Sequence, residues 1–151
     1  MNMYTNTYKG KFKPTNLSKY HGDHNNIVYR SLWELRFMKW CDTNSNILEW
    51  GSETIVIPYK SPVDNKFHRY FVDFSFKFRD SSGNVVNYLA EAKPLKFTLK
   101  PEKTPNKKPK TFLTESYNYA VNMAKWDAAT QFANKNGYKF IIITEKDLGL
   151  K

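Results

Sequence analysis

Between residues 67 and 93 the chain carries two runs in which side chains of one kind recur at every second position, a period that only a β-strand supports. In a strand predicted from about Phe67 to Phe78, Tyr70, Val72, Phe74, Phe76 and Phe78 share one face, which must be the core. Asp73 lies on the opposite face with Phe71, Ser75 and Lys77, inside an aromatic run where an unpaired charge is costly without a cation or a hydrogen-bond donor. A following strand, from about Val85 to Lys93, puts Glu91 and Lys93 on one side and Ala90 and Ala92 on the other, and Pro94 closes it. The link Asp80-Ser-Ser-Gly83-Asn84 suits a hairpin turn, so the strands should pair and bring Asp73 towards Glu91. Two carboxylates beside a lysine form a hard-oxygen site for a divalent cation, with an ammonium ready to steady developing negative charge. The same residues also suit a solvated face with cross-strand ion pairs, and the rest of the chain must discriminate.

Charge supplies part of that context. The 151 residues hold 24 Lys and Arg against 14 Asp and Glu, a net charge of +10 that favours polyanionic partners, nucleic acid first. No stretch reaches the length of a membrane-spanning helix, and the first residues lack the apolar core of a signal peptide. Cys41 is the single cysteine, which excludes an internal disulfide, and with three scattered histidines it does not supply zinc-ligand spacing.

Residues 1 to 28 are polar and aperiodic and are expected to form a basic, aromatic arm. Lys9, Lys11, Lys13 and Lys19 alternate there with Tyr4, Tyr8, Phe12 and Tyr20, which suits phosphate contact with stacking, and equally suits a tail docked by its aromatics. Residues 29 to 151 would be the main domain. Ser31 to Asp42 reads as a helix with Trp33, Phe37, Trp40 and Cys41 as its buried stripe. Ser31 and Glu34 fit a capping box, yet Glu34 could also reach the sheet as a third acidic group. Glu53 to Tyr59 is expected as the first strand, ended or placed at an edge by Pro58.

Residues 95 to 110 mix Pro101, Pro105 and Pro109 with Lys96, Lys100, Lys103, Lys107, Lys108 and Lys110, predicting a mobile basic loop able to grip a phosphate backbone. Leu113, Tyr117, Ala120, Ala124, Ala128 and Phe132 mark a long helix from about Phe112 to Asn136, stopped by Gly137. Trp126 reads as core, and Lys125 could face solvent or the acidic residues. Tyr138 to Thr144 is a final apolar strand. Helix, three strands, helix, strand is an α/β order, giving a mixed four-stranded sheet flanked by helices.

That αβββαβ order, with an acid on the first helix, Asp73 on the second strand and Glu91-x-Lys93 on the third, resembles the restriction-endonuclease-like PD-(D/E)xK nuclease superfamily over about residues 30 to 147. Val72 stands where the family pattern has proline. More closely, Tyr29-Arg-Ser-Leu-Trp-Glu34, Trp50-Gly-Ser-Glu-Thr-Ile-Val-Ile-Pro-Tyr59, His68-Arg-Tyr-Phe-Val-Asp-Phe74 and Lys125-Trp-Asp-Ala-Ala129 with Ile143-Thr-Glu145 resemble the head completion nucleases of contractile-tailed bacteriophages. The same pattern is similar to the endonuclease subunit of cut-and-paste transposition systems.

The resemblance implies a Mg2+-dependent DNA endonuclease, with Mn2+ able to substitute, in the virion and the host cytoplasm. It would act on packaged double-stranded DNA before tail joining, alongside portal or neck proteins. Asp73, Glu91 and Glu34 would serve the metal with the Ala92 carbonyl, and Lys93 the developing charge. Arg30, Arg69 and Lys125 join the lysines of the arm and the loop as expected DNA contacts. A structural DNA-binding protein that retains the fold without cutting is the rival. An RNA-binding module lacks the glycine-aromatic signatures of common RNA folds.

Overall fold

The computed structural model describes residues 9–148, and a four-stranded sheet lies at its centre. In chain order the elements are β1 (Gly10–Lys11), β2 (Val28–Tyr29), α1 (Leu32–Thr43), β3 (Ile47–Ser52), β4 (Val56–Lys60), β5 (Phe67–Phe71), β6 (Phe74–Arg79), β7 (Val85–Ala92), α2 (Pro109–Asn136) and β8 (Tyr138–Ile143). The central sheet runs β3-β6-β7-β8, with β8 parallel to β7 and the other pairs antiparallel. The expected mixed four-stranded sheet flanked by helices is the one found.

Two strand assignments are corrected. The first strand of the sheet is β3, whereas the segment expected in that place supplies β4, half of a separate antiparallel pair with β5. Pro58 sits within β4, tolerated because a two-stranded sheet is all edge. The single long strand expected from Phe67 to Phe78 breaks at Val72 and Asp73, because their backbone pairs with the turn after β3: Val72 N–H donates to the Ile55 carbonyl (3.1 Å) and Glu53 N–H to that of Asp73 (3.0 Å). The alternation survives the break, but its residues enter two different cores. Tyr70 and Val72 pack with Leu89 against Trp126, Ala129 and Ala133 of α2. Phe74 and Phe76 pack with Trp50, Ala90 and Ala92 against Phe37, Met38 and Cys41 of α1. The hairpin turn between β6 and β7 forms as expected, with Gly83 at φ 84°.

Ser31 adopts extended backbone as the N-cap of α1, and its Oγ accepts from the Glu34 N–H (3.1 Å). Of the expected stripe, Trp33, Phe37 and Cys41 are buried, but Trp40 is 40% exposed. The segment before α1 does not extend as an arm where it is described. Phe12 and Ile27 bury their apolar surface in the α1-side core, and Lys19 Nζ donates to the carbonyls of Asp42 (3.1 Å) and Asn44 (2.8 Å). A lysine there satisfies the last carbonyls of α1 and complements its dipole. Tyr4 and Tyr8 lie outside the described residues.

The segment expected to be a loop to residue 110 contains a short 3-10 turn, Leu95–Thr98, and α2 begins earlier than expected, with Pro109 at its first position, where a missing N–H costs nothing. Gly137 caps the other end of α2 at φ 75°. The predicted apolar stripe fails in the first turns, where Leu113 and Tyr117 are 54% and 51% exposed. A helix of 28 residues spans about 42 Å, well beyond strands of six to eight residues, so its N-terminal part overhangs the sheet.

Cys41 is fully buried, and loss of solvation pushes its thiol pKa well up. It should react with a thiol-specific reagent only at the rate of global unfolding, as labelling with and without denaturant would show.

Candidate active site

The site forms where β5 breaks into β6 and where β7 ends. Alternation along β7 places Ala90 and Ala92 in the α1-side core and Leu89 in the α2-side core, so Glu91 emerges on the α2 side. There Tyr70 Oη donates to Glu91 Oε2 at 2.6 Å, and Lys93 Nζ stands 3.8 Å from Glu91 Oε1. Asp73 is fastened to the adjoining backbone, its Oδ2 accepting from the Ala92 N–H at 2.9 Å. Glu34, on the first turn of α1, is buried and also accepts from Ser31 Oγ at 3.4 Å. The capping contact expected of Glu34 is present, and its charge also acts on Asp73. Ser31→Ala should cost about 1 kcal/mol, measured by urea unfolding, because it removes the acceptor for the Glu34 amide.

The electrostatics are those of an under-neutralised acidic pocket. Burial, then the charges of Glu91 and Glu34, push the Asp73 carboxyl well above the usual range, against the Ala92 amide and Lys93. Burial also raises Glu91, although Tyr70, Lys93 and Lys125 pull it down. Glu34 is raised by burial and held back by Arg30. Tyr70 is raised by burial and by Glu91, so it remains a neutral donor. Among the described residues, no three His, Cys, Asp or Glu side chains stand close enough together to form a complete cation cage. The carboxylate oxygens of Asp73 and Glu91 are hard donors of the kind that divalent cations take.

Comparison with known proteins decides the family: the model for the TnsA-like endonuclease N terminal matches residues 44–145. The chain belongs to the TnsA-like endonuclease N-terminal family. It is also 46% identical over 144 residues to the head completion nuclease of Enterobacteria phage T4, covering 93% of each chain. No solved structure matches it. Within this TnsA-like domain the matched segment includes Asp73, Glu91, Lys93 and all of α2, while Glu34 lies before it.

The basic residues named as DNA contacts separate into groups. Lys125 faces the site, its ammonium over the rings of Tyr59 (5.7 Å) and Tyr70 (5.5 Å). Arg30 bonds to Glu53, with Glu34 and Asp73 close enough to hold its charge more firmly. Lys19 and Lys107 are engaged within the fold. Lys107 bonds to the Glu102 carbonyl (2.6 Å) and to Glu115 (3.1 Å). Arg69 lies over Phe71 and Lys96 over Phe97, both on the surface. Lys9, Lys11, Lys13, Lys100, Lys103, Lys108 and Lys110 are exposed.

Glu53, expected as the start of a strand, stands instead in the turn between β3 and β4, bonded to Arg30. Its φ of 56° is unusual for a residue with a side chain, and such strain gathers at functional positions.

Proposed function

We propose that this chain is a magnesium-dependent DNA endonuclease of the PD-(D/E)xK type. The observation that carries the reading is the pairing of Glu91, at the end of β7, with Lys93 just beyond it, while Asp73 is anchored to the intervening Ala92 amide. The donor set fits the ion: buried, mutually repelling carboxylates carry negative charge that Lys93 does not cancel, and their oxygens are the hard ligands magnesium takes. Asp73 and Glu91 would hold it, with Glu34 helping to position it and the Ala92 carbonyl and water completing the set. When bound, such an ion activates water and neutralises the scissile phosphate.

The protein groups do the rest. Tyr70 keeps one oxygen of Glu91 oriented, so the other is directed towards Lys93. Lys93 places an ammonium where charge builds up on the phosphorane or its attacking water, in a partly buried position that strengthens the interaction. Lys125, backed by two tyrosine rings, adds a second cation on the α2 side. The likeness to a head completion nuclease supports a role on packaged DNA in a phage head before tail joining, beside portal or neck proteins.

The test is nicking of supercoiled plasmid by purified protein with magnesium, with manganese and with chelator. Cleavage that either ion supports and chelator stops is expected. Duplex binding without cutting in either ion would overturn the reading in favour of a non-catalytic head-closure protein.

A further inference from the structure

On the α2 side of Lys93 the structure holds an open cleft of about 300 Å3, lined by Lys93, Phe97, Asn118, Val121, Asn122 and Lys125. Asn118, Asn122 and Lys125 are four and three residues apart, so they rise along one face of α2. Neither asparagine side chain makes a hydrogen bond among the described residues, although Asn122 is partly buried. No carboxylate among the described residues pairs with Lys125 as a salt bridge; its ammonium is held over Tyr59 and Tyr70. Phe97, 41% exposed, forms the facing wall with Lys96 over its ring.

We propose that this cleft is a second phosphate subsite, which takes the phosphodiester next to the scissile one on the cut DNA strand. The inference rests on the endonuclease reading and deepens it. An anion is the occupant that two ammonium groups and two amides with no hydrogen-bond partner among the described residues share without conflict. Phe97 offers an apolar wall for the intervening sugar. Lys93 borders both the cleft and Glu91, so the two phosphates sit on opposite sides of one ammonium, and a strand bound in the cleft is held in register with the carboxylates. Asn118 and Asn122 are positioning residues in this scheme.

The experiment is ethylation interference on duplex DNA, read on the cut products. Wild type should show two interfering phosphates at each cut, the scissile one and a neighbour. Asn118→Ala/Asn122→Ala should lose the neighbour, keep the scissile one, and cut about tenfold more slowly at subsaturating DNA with little change at saturation. Asn122→Asp, which keeps the side-chain size and adds a negative charge, should lose more than Asn122→Ala, with circular dichroism confirming that each variant folds. An unchanged interference pattern, or equal cutting by the alanine and aspartate variants, overturns the subsite. If wild type fails to cut, the endonuclease reading falls, and the subsite is judged by duplex affinity in calcium: binding about tenfold weaker in the double variant sustains it, and equal binding removes it.

Discussion

Glu91→Ala is expected to abolish cleavage of duplex DNA while leaving duplex affinity nearly unchanged. Glu91 is buried, its two oxygens directed to Tyr70 and Lys93, and it lies beside Asp73; removing it takes away half of the proposed ligand pair without touching the exposed lysines. Lys93→Ala should keep the cation but lose the ammonium, lowering the cleavage rate at saturating DNA by about a hundred- to a thousandfold. Single-turnover cleavage and equilibrium binding, measured on the same duplex, separate these effects. Equal loss of binding and cutting in both variants would show that the two residues hold DNA and not the reaction.

The second large effect concerns stability. Asp73 and Glu91 are acids whose folded-state pKa lies above the unfolded value, raised chiefly by burial, so their ionisation opposes folding. Such groups give the folded state its full relative advantage below the unfolded pKa, and that advantage is lost as pH rises through the folded one. Metal-free wild type should therefore melt higher as the pH falls from about 8 towards about 5, until the acid titration of other groups intervenes.

Asp73→Asn should raise the melting temperature of the metal-free protein at neutral pH, by about 2–4 °C for each kcal/mol of repulsion relieved, and should flatten this pH dependence. Asparagine keeps an oxygen for the Ala92 amide, so the gain comes from the charge alone. Magnesium should stabilise wild type through the same carboxylates and the variant far less. A variant that melts lower than wild type, or gains as much from magnesium, would remove Asp73 from the cation site. Calorimetric scans with and without the ion make both comparisons.

Much of this arrangement was legible because it is periodic. The alternation through Glu91 and Lys93 fixes their shared side whatever the sheet around them, and Ser31 with Glu34 announces the start of α1. What was not legible lacks a period. The strand β3 was overlooked because its pairing with β6 shifts register between Ile47 and Glu49, and such an irregularity destroys the alternation by which a strand is recognised. The break at Val72 and Asp73 leaves the alternation intact and is set by backbone bonds from residues 53 and 55, about twenty positions earlier in the chain. The early lysines read as free for DNA, yet Lys19 caps α1, a role decided by where the end of that helix comes to lie.

By itself the sequence determined the two helices, the strands β7 and β8, the basic charge, and the common side of Glu91 and Lys93, since each follows from local spacing or from composition. Tertiary structure alone decided that Asp73 is fastened to the Ala92 amide, that Tyr70 and Lys125 turn towards Glu91, and that Arg30 is engaged by Glu53. The physical reason is that burial and charge repulsion act through space: they depend on which segments pack together, and the charges of residues 34 and 91 act on Asp73 only when α1, β7 and the break between β5 and β6 meet.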